Sequence, residues 1–572
     1  MSVGMRSHVL MFVVGLVLSA TINAQDLLHN EMLGRPTATS INLSFMTGRQ
    51  MKARVLYGED STTLTSSTPW QDLAPNSMTD VVIDQLQPNT QYYYRVQLET
   101  DRVIDRPVYR FHTQRPMGAP FTFVIQADPH MDEQSDTAMY VRALQNQLED
   151  RPDFMLDLGD IVMSDKLKGP TGKVTHDTIT TRTRFMRSFY ESTCHSVPLF
   201  IALGNHEGEA GWGLNASSEN VPVWATLDRK AHLRNPRPDG FYTGDTTVHP
   251  YVGIRENYYA FEWGDALFIV LDPYWYTKPK PDSLTGWRWT LGRTQYEWLR
   301  TTLKNSTARY KFVFAHQLVG GNPDGRGGIE YADLYEWGGK NLDGTEGFAT
   351  NRPGWYKPLK DIFREHRVTA FFHGHDHFYA QQVKDCLIYQ ETPQPSHPSI
   401  TNANSAKGYG YLNGTILPNS GHLRVAVAPE GVKVEYVRTY VPRQETGSRK
   451  NKDVSATYFI GAVNCYDSLS TSVPIVYNAQ YINDHVAPNP SSAETRISFT
   501  MPVDGTLTLS IRDITGREIR RLLSNAEITQ GSYVVIWDGR LADGTVVPSG
   551  SYFYEVDAGV AGRSTGTILK TR

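Results

Sequence analysis

The feature that most constrains this chain is a series of short apolar runs, each stopping at a residue that can bind a metal or move a proton. Phe121-Thr-Phe-Val-Ile-Gln-Ala-Asp-Pro-His130 ends in Asp128 and His130, and Phe154-Met-Leu-Asp-Leu-Gly-Asp160 ends in Asp160. Leu199-Phe-Ile-Ala-Leu-Gly-Asn-His-Glu207 ends in Asn205, His206 and Glu207. Tyr310-Lys-Phe-Val-Phe-Ala-His316 ends in His316, and Val368-Thr-Ala-Phe-Phe-His-Gly-His-Asp-His377 ends in His373, His375 and His377. Unbroken apolar runs of this length read as strands buried on both faces, inside a sheet covered by helices. Such sheets put their ligands at the carboxyl ends of the strands. Five runs should therefore carry Asp, Asn and His to one edge, a donor set for hard or borderline metal ions.

Between these runs lie helical patterns, over 136–149 (Val141, Leu144 and Leu148 on one face), 293–303 and 356–364. Strand–helix alternation argues for a layered α/β fold across 120–460. Leu267-Phe-Ile-Val-Leu-Asp272 is one more buried strand, and its Asp272 lacks a neighbouring His and reads as structural. Three long segments, 208–257, 273–292 and 317–356, are rich in Gly, Pro and Trp and follow strand ends. They are expected to border the metal edge as loops, with most of their tryptophans packing them onto the core.

A chain of 572 residues predicts three or four domains, and a net charge of −4 argues against a sequence-independent hold on nucleic acid. Residues 1–24 read as a secretory signal peptide, with an apolar core from Val9 to Ala20 too short to span a bilayer. A retained anchor is the alternative. The cysteines Cys194, Cys386 and Cys465 fit no zinc motif and define no disulfide. Residues 26–116 alternate apolar and polar positions (Ile41, Leu43, Phe45; Tyr92, Tyr94, Val96, Leu98) as a β-sandwich does. Leu86-Gln-Pro-Asn-Thr-Gln-Tyr92 resembles the corner of fibronectin type III domains, where a tyrosine hydroxyl ties back to nearby backbone. Residues 461–485 read as a linker, and 486–572 as a second β module. In it, Ala487-Pro-Asn-Pro490, Trp537-Asp-Gly-Arg540 and Gly550-Ser-Tyr-Phe-Tyr554 resemble the type IX secretion sorting domain and the immunoglobulin-like fold of flagellar hook-capping proteins. That resemblance implies export across an outer membrane through its secretion machinery. The product would be secreted or held at the cell surface, or would stay periplasmic as the alternative.

Asp128-x-His130, Gly159-Asp160, Gly204-Asn-His-Glu207, His316 and Gly374-His-Asp-His377 together resemble the signature of calcineurin-like metallophosphoesterases. The module before them adds a likeness to the layout of purple acid phosphatases. The resemblance implies a four-layer α/β/β/α sandwich flanked by two all-β sandwich modules. It also implies two divalent or trivalent transition-metal ions (zinc, iron or manganese). Asp128, His130 and His377 would hold one ion and Asn205, His316 and His375 the other, with Asp160 between them. His206 would be the catalytic acid, and a small phosphorylated substrate would be attacked by a metal-bridging hydroxide. Glycines 159, 204 and 374 would let the chain turn beside the ions, while His373, Asp376 and Glu207 are candidates for orienting the ligands. Purple acid phosphatases carry Tyr where this chain has Met163 and Gly where it has His130, so a tyrosinate-to-iron colour is not expected. They also place further histidines soon after the His316 equivalent, and this chain has none before His366. Monoester hydrolysis is the leading expectation, phosphodiesterase or nucleotidase activity the alternative. A surface binding protein with a vestigial metal site is the alternative of another class.

Overall fold

The computed structural model describes residues 27–461 and 485–571, apart from short stretches at 170–171, 283, 323–324, 502–503, 530 and 559–562. The expected signal peptide and nearly all of the expected linker lie outside these residues. The chain divides into two compact units, Met1–Asn464 and Cys465–Arg572.

The first unit is built on two sheets. In one, Leu199–Ile201, Phe154–Asp157 and Phe121–Gln126 run parallel, and Gly421–Ala428, Gly431–Arg438 and Val454–Gly461 extend it antiparallel. In the other, Ala266–Val270, Tyr310–Phe314, Ala370–His373 and Leu387–Glu391 run parallel between antiparallel edge strands. Parallel pairing sends the carboxyl ends of the ligand-bearing strands of each sheet to one edge.

Alternation along each strand explains the layering. Phe123 faces inward, where its ring meets Phe268 at 5.0 Å, while its neighbour Val124 faces outward among Tyr140, Leu144, Met186 and Tyr190. Phe314 and Phe372 stack at 5.2 Å inside, while Val313 and Phe371 face Leu299, Leu303, Ile362 and Trp337 outside. Both sides of the runs are buried, which is why they read as unbroken apolar stretches. The inner seam is almost wholly aromatic, with Phe154 5.1 Å from Phe268 and Phe200 4.5 Å from Phe261. Such pairs add roughly 0.5–1.5 kcal/mol beyond the area they bury. Helices lie outside each sheet, so the core is an α/β/β/α sandwich.

The helix expected over 136–149 is Thr137–Glu149, capped by the Asp136 carboxylate, which accepts from the amides of Ala138 and Met139. Its buried face includes Asn146 and Gln147 and is turned away from Val141, because Gln147 bonds Gln126 and Asn146 bonds Asn451. The helix expected over 293–303 is Arg293–Asn305, and that over 356–364 starts at Leu359, just after Pro358. Two departures concern polar helices. Segment 208–257 is not all loop: Val221–His232 is helical, with Asn220 accepting from the Val223 amide at 3.0 Å and Pro222 in the first turn. His176–Cys194 is a long helix whose buried stripe mixes Ile179, Met186 and Tyr190 with Thr183 and Arg187, which masks its apolar period.

Ahead of this core, sheets Leu27–Gly34/Ile41–Thr47/Met78–Ile83 and Met51–Gly58/Gln91–Glu99/Tyr109–His112 enclose a sandwich core. The Tyr92 hydroxyl accepts from the Gln87 amide at 3.0 Å, the local tie expected of a tyrosine corner. The sandwich docks on helix His176–Cys194: His29 meets Glu191 at 2.7 Å, Arg187 donates to the Ser44 carbonyl at 2.9 Å and Tyr94 to the His195 carbonyl at 2.7 Å.

The second unit pairs a sheet of His485–Ala487, Thr495–Met501 and Gly531–Trp537 with one of Glu518–Ile528, Gly505–Arg512, Gly550–Asp557 and Arg563–Lys570. Ile497, Phe499, Leu507, Leu509, Trp537, Tyr554 and Val556 fill the space between them. No helix among the described residues is long and apolar enough to cross a membrane.

Candidate metal centre

All seven predicted donors meet at the facing carboxyl edges of the two sheets. Asp128 Oδ1 lies 3.3 Å from His377 Nε2 and 3.6 Å from His130 Nε2. Asp160 Oδ2 lies 3.3 Å from His316 Nε2 and 3.6 Å from His130 Nε2, so its carboxylate stands between the two sets. His316 Nε2 is 3.1 Å from Asn205 Oδ1 and 3.2 Å from His375 Nδ1. Among the described residues, Asp128/His130/His377 and Asp160/His316/His375 each place three donor atoms within 4.8 Å of one another.

The backbone is bent to aim these side chains. Asp128, His130, Asp160, His375 and His377 have φ of 57°, 48°, 57°, 80° and 64°. For residues with a Cβ the left-handed region costs roughly 1–2 kcal/mol each, a strain the surrounding fold has to hold. The three glycines serve the site differently from one another. Gly159 turns at φ 100° and also has no room for a side chain, since a Cβ there would stand 2.4 Å from the Gly204 nitrogen, while Gly204 and Gly374 are needed for room alone. A Cβ on Gly374 would stand 2.5 Å from Asp128 Oδ2, and one on Gly204 would strike the Asp160 carboxylate.

The donor chemistry fits a cation. His316 Nδ1 donates to the Leu158 carbonyl at 2.8 Å, which leaves Nε2, once it has given up its proton, to face a cation beside the Asn205 oxygen. Asp128 Oδ1 and His130 Nε2 are buried with no hydrogen-bond partner. Burying such atoms unpaired is costly, and metal ions caged by these donors would remove the cost. Burial opposes charge on the carboxylates, yet the neighbouring imidazoles, His316 foremost, hold Asp128 and Asp160 well below the ordinary range. Burial likewise opposes charge on His130 and His316, but the carboxylates around them raise these imidazoles to about 11 and about 9. His375 moves the other way, kept well below its ordinary value by burial and the Arg326 guanidinium.

His206 sits at the rim. Its amide donates to Asp160 Oδ1 at 2.8 Å, its ring centroid is 6.2 Å from that of His130, and its Nδ1 is 2.9 Å from Asp165 Oδ1. Asp165 was not legible in advance, since an exposed Asp five residues beyond Asp160 has no local signal. The supporting residues act mostly on the main chain. Glu207 accepts from the amides of Gly204, Asp160 (2.9 Å) and Ile161 (2.5 Å), so it fixes two ligand loops to each other rather than orienting an imidazole. Asp376 accepts from Arg326 at 3.0 Å, and Arg326 also donates to the His375 carbonyl at 2.6 Å. His373 pairs with Glu391 at 2.7 Å. Asp272 is structural: Arg255 and Asn257 donate to it at 2.8 Å and 2.6 Å.

Sequence comparison bears on the same region. Residues 121–379 match the calcineurin-like phosphoesterase family, a span that holds every one of these donors. The chain carries a calcineurin-like phosphoesterase domain. Residues 30–113 match the purple acid phosphatase N-terminal domain, and 488–562 the FlgD Ig-like domain. No curated protein matches the chain. Among solved structures, PhoD superposes with a TM-score of 0.56 at 16% identity, over 78% of this chain and 92% of that one. A purple acid phosphatase from yellow lupin (Lupinus luteus) seeds gives 0.48 at 14% identity, over 75% and 74%. The calcineurin-like phosphoesterase domain, with its purple acid phosphatase N-terminal module, makes the chain a metal-dependent phosphatase in class.

Proposed function

We propose that the protein is an exported phosphatase that hydrolyses phosphate monoesters. The observation that carries this reading is the paired donor set, two triads joined through Asp160, beside a histidine already held by a carboxylate. Asp128, His130 and His377 would hold one ion, and Asn205, His316 and His375 the other, with Asp160 shared. A bound pair of this kind acidifies water and neutralises charge on a phosphoryl group. The protein's own part lies in placement and proton delivery. Asp165 accepts from His206 Nδ1–H and turns Nε2 outward; in the imidazolium form the Nε2 proton passes to the leaving oxygen, and the ring is left neutral with its proton on Nδ1. A positioned acid contributes about 10²–10⁴-fold. Glu207 and Arg326 hold the ligand loops, so little reorganisation is needed when substrate arrives.

Support for monoesters comes from the module order, a purple acid phosphatase N-terminal domain directly before the phosphoesterase domain. Export and surface attachment rest on the apolar stretch Val9 to Ala20 and on the FlgD-like module. The test compares turnover of an aryl monophosphate with that of its bis-aryl diester by metal-loaded protein, wild type and His206→Ala. Preference for the monoester, with kcat lowered about 10²-fold or more in the variant, is expected. Faster turnover of the diester would make the protein a phosphodiesterase, and absence of turnover on both would favour a binding protein.

A further inference from the structure

A histidine that belongs to no ligand set lies beside the first triad. The strand Leu387–Glu391 leads into Thr392-Pro-Gln-Pro-Ser-His397, and this segment is fastened to both loops that carry His130 and His377. Ser396 Oγ donates to the carbonyl of Pro129, the residue before His130, at 2.8 Å, and the Ser396 carbonyl accepts from the Asp136 amide at 2.8 Å. On the other side, the Gln394 amide donates to Asn419 Oδ1 at 2.9 Å, and Asn419 Nδ2 donates to the carbonyl of His377. His397 follows directly and is half-buried. The ionisable groups it feels are His377, Asp132 and His130.

Its ring is committed at one nitrogen only. The Ser399 amide donates to His397 Nδ1 at 3.0 Å, so Nδ1 carries no proton and the ring proton is on Nε2. Nε2 has no hydrogen-bond partner among the described residues.

We propose that His397 is a further substrate-contacting residue, whose Nε2–H donates a hydrogen bond to an oxygen of the bound phosphate ester. This rests on the phosphatase reading above. It differs in kind from the task given to His206: with Nδ1 occupied as an acceptor, His397 keeps its proton and acts through its dipole. A fixed donor of this sort counts most where charge builds on oxygen as the ester bond breaks. Its place in a Pro-rich segment, after a strand that carries no ligand, explains why the pattern of strand ends does not reveal it.

The test uses the metal-loaded full chain as wild type, His397→Ala and His397→Gln, with metal content, turnover of an aryl monophosphate and calorimetric binding of inorganic phosphate. Glutamine can set an amide N–H near the position of Nε2. His397→Ala is expected to keep both ions, to lower kcat about 10²-fold and to weaken phosphate binding. His397→Gln should recover most of both losses. Equal turnover and phosphate affinity in wild type and His397→Ala would overturn the proposal, as would loss of metal in both variants, which would make the residue a structural prop. Failure of the phosphatase reading is separately visible, as a metal-loaded wild type that turns over no ester, and it would take this inference with it.

Discussion

Loading metal into this centre must expel protons, and the charges around the ligands say how many. Carboxylates raise His130 to about 11 and His316 to about 9 in the metal-free protein, whereas burial and Arg326 leave His375 deprotonated. Below pH about 9, two imidazoles must therefore give up protons before their nitrogens can coordinate. Each displaced proton is worth about a factor of ten per pH unit. The overall constant for loading both ions should climb about 100-fold per unit up to pH 9, and about tenfold per unit between 9 and 11, where only His130 is still protonated. From pH 6 to pH 8 that is a change of about 10⁴. Competition for zinc against a chromophoric chelator at pH 6, 7 and 8, corrected for the chelator's own protons, measures the slope. A rise of less than one decade per unit would refute the argument. The metal-free protein should show the opposite trend in stability. Both pKa values are raised above the ordinary 6.5, so the stabilisation they give is complete below pH about 6.5 and is lost as pH rises towards 9 and then 11. Its Tm should fall over that interval.

Asp165→Asn should leave metal content unchanged and lower kcat more than KM by at least tenfold, because His206 Nδ1 loses its carboxylate; an unchanged kcat would remove Asp165 from the proton path. Phe268→Ala opens a hole where Phe123, Phe154, Phe261 and Phe314 converge, and should cost about 3–5 kcal/mol in urea unfolding. Glu209→Leu strips the carboxylate that pairs the buried Arg229 (2.5 Å) and Arg255 (2.8 Å), and should destabilise by about 3–5 kcal/mol, with a cost under 1 kcal/mol ruling out a structural part for this cluster.

The site was more legible than the rest of the fold, for a physical reason. A strand buried on both faces leaves an unbroken apolar run, and a ligand at its end is the first polar residue after it, as at Asp128, Asp160 and His316. What escaped notice acts through contacts distant in sequence. Asp165, Arg326 and Asn419 reach His206, His375 and His377 through chain folding alone, and nothing about their neighbours in sequence marks them. Helix His176–Cys194 escaped for a different reason. Its hidden face spends positions on Thr183, which bonds back to the Ile179 carbonyl of its own helix, and on Arg187, which reaches the His232 and Ser44 carbonyls on other elements, so the hydrophobic rhythm that announces a helix is broken where the packing is most specific.

That same helix joins two parts of the molecule that are usually considered apart. At one turn Arg182 donates to the main-chain oxygens of His130 and Met131, and a turn further on Arg187 reaches into the amino-terminal sandwich at Ser44. Cutting the chain before residue 117 would leave Arg187 and Glu191 facing solvent where they had been enclosed, and would loosen the rod that props the first triad from behind. Isolating the hydrolytic half by trimming would thus damage the very cage it was meant to expose.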